Sequence, residues 1–474
     1  MRSDPVLPTR ADPQLQAATE GFGGPIGRRA RFGATWWTPV RVLLVLGGLT
    51  YLAGALLKAP CVANSWASPD RYEHLCYSDI PVLYPLRGLA DGIIPYLQDP
   101  LAGQQPLEYP VLTGGFMYVA ALLTRALGRV GSWSAFYQVN VVMLAACFLV
   151  TVAATAKTVV RRPWDAAMVA VAPCMLFVAT INWDLLALAL TSVSLLLWSR
   201  QREGWAGVAL GLAVAAKLYP VVLLGVLLLL CWRAARMPQF GRFVLGAAVA
   251  WSVVNLPLAL ANPYSWSYFY TFSRERGEDF GSVWLALTTA GHGVSATSLN
   301  SYVAISLLLA AAGIAALIIF APRRPRLAQA AFLIVAAFVL TNKVYSPQYV
   351  LWLLPLAVLA RPRWRDFLIW QAAEVCYVVA IWWYLVGLEK DAKGLLPGWY
   401  AAAIWLHVIA TLWFAALVVR DILRPAYDPI RSDGVPEHAD DPGGGCLDGA
   451  QDRAVLRPSQ AEPVQPDVAH RNVT

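Results

Sequence analysis

Charge is scarce in this chain. Only 14% of its 474 residues are Asp, Glu, Lys or Arg, against roughly a quarter in ordinary globular domains, and that scarcity excludes a soluble enzyme. Lysine is rarer still, with 6 Lys to 31 Arg, so each lysine stands out. The 5 His form no cluster. Neither a Cys-x-x-Cys pair nor a His-Glu-x-x-His motif occurs, so the chain carries no metal signature and no metal or other cofactor is expected. No internal repeat is secure. The net charge of +8 sits on an apolar body, which excludes nucleic acid as a partner and directs attention to the side of a membrane each charge occupies.

What the chain has in abundance is hydrocarbon. Apolar residues make up 58% of it and mean hydropathy is +0.53. At ~20 residues per crossing the runs supply about twelve transmembrane helices, so an all-α polytopic membrane protein is expected. The arginines fall in short runs between apolar stretches, among them Arg161-Arg162, Arg200-Gln201-Arg202, Arg233-Ala234-Ala235-Arg236, Arg323-Arg324-Pro325-Arg326 and Arg361-Pro362-Arg363. Placing them all in the cytoplasm sets the orientation, with both termini inside a cytoplasmic membrane. Residues 1–39 read as a disordered cytoplasmic tail and 40–420 as the membrane domain. Residues 421–474, with ten acidic residues against five Arg, read as a disordered acidic cytoplasmic tail. Val40 to Leu57 is read as an uncleaved first helix. A first external loop of 59–110 follows, and interfacial helices extend the external region to 132.

Two apolar stretches, 111–127 and 133–156, precede Arg161-Arg162, and two crossings would leave that pair outside. Gly114-Gly115 and Arg125 mark the first as the weaker span, so it is expected to be re-entrant or interfacial. Crossings are then expected at 164–181, 185–199, 205–217, 219–232 and 242–260. An external loop at 262–299 precedes crossings at 301–320, 327–341, 348–360, 366–386 and 399–419. Several are shorter than a bilayer needs. Paired short helices meeting at Asn182-Trp183-Asp184 and at Lys217-Leu218-Tyr219-Pro220 would stop below the outer surface and leave a cavity there.

The external segments hold the informative chemistry. Cys61 and Cys76 lie together in the first loop, an oxidising location, where a bridge would pin the stretch before Asp79; spacing leaves open whether they are bonded or free. The run Cys76-Tyr77-Ser78-Asp79-Ile80-Pro81 puts an acid just beyond the first helix among Pro and aromatics, followed by Arg87 and by Glu108-Tyr109-Pro110. Spacing alone allows Asp79 to be a helix cap, a solvated loop acid, or an acid held at the membrane surface to meet a lipid-linked substrate.

A helix followed at once by an outer loop with an Asp, then Glu-Tyr-Pro entering a re-entrant segment, resembles the membrane glycosyltransferases of the GT-C superfamily. Asn182-Trp183-Asp184-Leu185-Leu186, the run from Ala206 to Lys217-Leu218-Tyr219-Pro220, and Thr341-Asn342-Lys343-Val344-Tyr345-Ser346-Pro347-Gln348-Tyr349 are similar to glycosyltransferase family 87, the polyprenol-phosphate-mannose dependent mannosyltransferases of actinobacteria. The resemblance spans roughly 40–420.

The resemblance implies inverting transfer of a sugar, mannose favoured, from a polyprenyl-phosphate-sugar donor to a hydroxyl of a glycolipid or polysaccharide acceptor on the external face. By position Asp79 matches the general base, which takes the proton of the attacking hydroxyl. Lys217 and Lys343 are expected to meet the donor phosphate, with Arg87, Arg274, Arg276 and His292 as further phosphate candidates. Glu108, Tyr109, Asp184 and Tyr345 are candidates for acceptor or sugar binding. Arabinofuranose is the competing sugar. From a different class, a transporter or flippase draws support from Glu374, an acid expected near the middle of a crossing.

Overall fold

The computed structural model describes residues 37–390 and 393–453, all of whose regular elements are helical. The expected tail 1–39 thus falls almost entirely outside the described residues, as does 454–474. Among the described residues six helices are long and apolar enough to cross a membrane: α1 (Pro39–Leu56), α4 (Trp133–Thr158), α8 (Met237–Ala261), α11 (Ala296–Phe320), α14 (Trp364–Glu389) and α15 (Pro397–Leu423). Between them come α2 (Asp79–Leu86), α3 (Val111–Ala126), α5 (Asp184–Ser199), α6 (Glu203–Ala216), α7 (Leu223–Arg233), α9 (Pro263–Glu275), α10 (Val283–Thr289), α12 (Leu327–Thr341) and α13 (Val350–Ala360).

Burial sorts these helices by role. In α13 every residue from Val350 to Ala360 is buried, whereas α11 buries only Leu299 and Ile318. The first is a core helix; the second offers apolar side chains all round, as a lipid-facing helix does. At 16 residues α5 rises about 24 Å, less than the roughly 30 Å hydrocarbon thickness. The short helices therefore end inside the protein. A Cβ on Gly207 would lie 1.9 Å from the Phe243 carbonyl oxygen, so α6 and α8 cross at backbone contact.

Helix α4 sets the two ends of the molecule. At its start Asn140 accepts from the Trp183 indole at 2.7 Å, and after its far end Arg162 pairs with Asp433. Helix α3 begins where Thr113 donates to the Ala216 carbonyl, and its last turn lays Arg125 against Gly92 of the first loop. Only six residues then join it to the start of α4, a reach of at most ~20 Å. Both ends of α3 thus contact segments on the cavity side of the bundle, Ala216 at its start and Gly92 at its end.

Two expectations need correction. Residues 164–181 are not one crossing: Pro163–Ala166, Ala167–Ala170 and Met175–Val178 are separate turns. Pro173 interrupts them, since it cannot donate and disfavours helix in the residue before it. Burial makes the break tolerable, and the freed amide of Cys174 donates to Gln371 Oε1 at 3.2 Å. The second concerns 421–474. Residues 424–453 pack against the arginine-rich end, with Asp428, Asp441 and Leu447 buried. Their acids pair with arginines already buried by the membrane domain, which composition alone does not reveal.

Candidate active site

Three helix tips converge at the end of the molecule opposite Arg162. The start of α5 brings Asn182, the end of α6 brings Lys217, and the link from α12 to α13 brings Ser346, Gln348 and Tyr349. With Asp79, Glu108, Tyr109, Arg276 and Asp279 they line a cavity of about 460 Å³, closed on one side by Phe269 and Phe272 of α9. Sequence reading places a cavity above the short helices, and one opens there.

Asp79 stands in the first turn of α2. Ser78 caps that helix, accepting from the Ile80 amide at 3.2 Å and donating to the Thr180 carbonyl at 2.7 Å. The Asp79 amide donates to the Ile181 carbonyl at 2.8 Å. The first loop is thereby fastened to the Asn182 tip. On the side chain, Tyr77 donates to Oδ1 at 2.6 Å and Asn182 Nδ2 donates to Oδ2 at 3.3 Å. The other Nδ2 proton goes to the Tyr109 hydroxyl at 2.7 Å. Burial raises the Asp79 carboxyl above its ordinary range, and the Tyr77 hydrogen bond opposes that rise. Asp79 is therefore no cap by its side chain and no free loop acid. It is a half-buried carboxylate held by two donors, and a raised pKa makes it a stronger base.

Lys217, the residue that ends α6, pairs with Asp184 Oδ1 at 3.2 Å. Its ammonium lies 5.2 Å, 6.0 Å and 5.9 Å from the ring centres of Tyr109, Tyr349 and Trp352. This cage holds a cation at the cavity wall. Arg276, which also lines the cavity, pairs with Asp279, its Nε donating at 2.6 Å. Glu108 is gripped by Arg87 through two bonds of 2.5 and 2.8 Å.

Of the expected residues, Asp79, Glu108, Tyr109, Lys217 and Arg276 line the cavity. Arg87 stands behind it as the partner of Glu108. Asp184 is buried beneath Lys217 and does not line the cavity: its Oδ1 meets Lys217 and also accepts from the Trp352 indole at 2.7 Å, while Oδ2 has no hydrogen-bond partner. Lys343 is turned away from the cavity: its ammonium donates to the Arg274 carbonyl at 2.9 Å and to Asn300 Oδ1 at 2.6 Å, joining α9 to α11. Tyr345 is buried in a polar cluster with Glu374 and Thr411. Arg274 and His292 are exposed outside the cavity. Cys61 and Cys76 are bonded, with Cα atoms 5.9 Å apart, one residue before Tyr77.

Sequence reasoning missed Asn182, Asp279, Gln348 and Tyr349 as lining residues. Asn182 carried a signal, as a polar residue at a tip between two apolar helices; Asp279 carried none, since loop acids are common. Among the described residues no group of three or more His, Cys, Asp or Glu stands together to hold a metal.

Comparison with known proteins follows the same segments. No curated protein matches the chain. The solved structure of ArnT from Cupriavidus metallidurans bound to undecaprenyl phosphate aligns over 74% of this chain and 74% of that one, at 16% identity and a TM-score of 0.39. Residues 108–342, just under half of the chain, match the model of glycosyltransferase family 87. That segment runs from Glu108 to Asn342 and so contains Tyr109, Asn182, Lys217, Arg276 and Asp279, though not Asp79. Through it the chain resembles a GT-C membrane glycosyltransferase of family 87.

Proposed function

We propose that this protein transfers a sugar, mannose favoured over arabinofuranose, from a polyprenyl-phosphate-sugar to a hydroxyl of a cell-envelope glycolipid or polysaccharide. The observation that carries the reading is one cavity holding a buried-side carboxylate, Asp79, together with two cations, Lys217 and Arg276. Asp79 accepts the proton of the attacking hydroxyl as its oxygen bonds to the anomeric carbon. The bond from that carbon to the phosphate oxygen breaks on the opposite face, which inverts the configuration. Lys217 and Arg276 meet the charge growing on the departing phosphate, so the step is assigned no metal. Glu108 and the faces of Tyr109 and Tyr349 are left for acceptor hydroxyls and sugar. The arginine-rich end is assigned to the cytoplasm and the cavity to the external side.

Transport draws its sequence support from Glu374, but that carboxylate is bonded to Tyr345, Trp370 and Thr411 and does not line the cavity. The test is transfer from radiolabelled polyprenyl-phosphate-mannose by protein in detergent. Asp79→Asn is expected to lower kcat by on the order of 10²–10⁴-fold while donor binding persists. Turnover equal to wild type in that variant would remove Asp79 from the chemistry.

A further inference from the structure

A polar cluster outside the cavity is buried between α14 and α15. Glu374 and His407 are 1% and 0% exposed. Glu374 Oε1 accepts from the Tyr345 hydroxyl at 3.1 Å, the Trp370 indole at 3.2 Å and the Thr411 hydroxyl at 3.1 Å. Glu374 Oε2 faces His407 Nδ1 at 3.5 Å, and neither atom has another partner. His407 Nε2 lies 3.1 Å from the carbonyl oxygen of Gly281. The imidazole is clasped by the rings of Tyr377 at 3.9 Å and Tyr345 at 4.3 Å.

Donor and acceptor roles are forced here. A carbonyl only accepts, so Nε2 carries a proton. Oε2 and Nδ1 stand 3.5 Å apart with no hydrogen bond between them, so the carboxylate is a close polar neighbour of the ring on the side away from Gly281. With the carboxylate on its Nδ1 side and the tyrosine rings on its faces, His407 presents Nε2–H to Gly281. The Gly281 amide in turn donates to the Tyr400 hydroxyl at 3.1 Å. Gly281 has φ +76°, and a Cβ there would lie 2.1 Å from the Tyr345 carbonyl oxygen, so backbone alone fits between these partners. Two residues upstream, Asp279 lines the cavity and holds Arg276.

We infer that the Glu374–His407 pair is a positioning device: it clamps the Gly281 carbonyl from within the helix bundle and so fixes the Asp279–Arg276 pair at the cavity wall. Glu374 and His407 are positioning residues, and Arg276 is the group they place. The assignment of Arg276 to the donor phosphate rests on the proposed function; the clamp itself does not.

Full-length protein in detergent tests both. His407→Phe keeps the ring between its tyrosine neighbours and removes the Nε2 donor, whereas His407→Gln retains a donor to the carbonyl. Hydrogen exchange at residues 276–285 is expected to quicken about ten-fold in His407→Phe and to return towards wild type in His407→Gln. Exchange in His407→Phe at the wild-type rate, with the variant folded, overturns the clamp. A Tyr400→Phe variant releases the same turn from its other side and gives the same reading should His407→Phe fail to fold. In transfer assays His407→Phe is expected to lower kcat/KM about ten-fold, and to add nothing to Arg276→Ala. Additive losses overturn the link to Arg276. Quickened exchange with no transfer by wild type supports the clamp and removes the transferase reading.

Discussion

Asp79 owes its properties to a few short contacts. Burial raises its carboxyl, and the Tyr77 hydroxyl at 2.6 Å pulls the other way by donating to the charged form. Tyr77 is itself held above its ordinary range by the Asp79 charge and then by burial, so it remains a donor. The base works only when deprotonated, so activity falls as pH drops through the raised Asp79 pKa. Tyr77→Phe removes a stabiliser of the carboxylate and raises that pKa further. The acid limb of kcat/KM is therefore expected to move up by roughly one pH unit, since a hydrogen bond to a charged group is worth ~1.5–3 kcal/mol before solvent at the half-open site reduces it. A pH–rate profile checks it, and superimposable limbs would detach Tyr77 from the base. The carboxylate and Lys217 were legible because each is a lone charge where an apolar helix meets an outer turn. The roles of Asp184 and Lys343 were not, because which way a side chain turns at such a junction depends on neighbours from distant segments, Trp352 and Asn300 respectively.

The elements around the site obey the same division. Hydropathy located the long helices within a few residues, and their shortness where α5, α6 and α13 end foretold the cavity. The break at Pro173 was hidden, because a buried run of turns is as apolar as a helix and its amide is satisfied by Gln371 from another helix. Lys58 shows how such turns are fastened. Its ammonium has three protons, and they go to the carbonyls of Leu75 at 3.1 Å, Tyr77 at 3.4 Å and Phe177 at 3.0 Å. One buried side chain thus joins the exit of the Cys61–Cys76 loop to the 175–178 turn, directly before the residues that hold Asp79. Lys58→Met keeps the length and orphans all three carbonyls. It is expected to lower stability by on the order of 2 kcal/mol, read as an earlier unfolding transition in detergent; an unmoved transition would show that Lys58 is not a fastener.

At the scale of the whole molecule, the end opposite the cavity is closed by the chain's own C-terminal segment. Composition marked 421–474 as acidic and the loops as basic, but not that the two were complementary, because charge pairing between segments leaves no trace in the periodicity of either. Arg324 reaches Asp440 and Asp452, Arg233 reaches Asp452, and Arg162 reaches Asp433. The centre of this clasp is Arg326, which donates to Asp428 at 2.8 and 3.0 Å and to the last carbonyls of α13, Leu359 and Ala360. Arg326 and Asp428 are 1% and 0% exposed. A buried pair adds little net stability over an apolar one, yet losing one partner strands the other. Asp428→Ala is therefore expected to cost about 3–5 kcal/mol, while Arg326→Met with Asp428→Leu recovers much of it. Unfolding of the single and double variants in detergent checks this. A double variant no more stable than Asp428→Ala would mean that the clasp holds through the backbone contacts of Arg326 rather than through its buried charge pair.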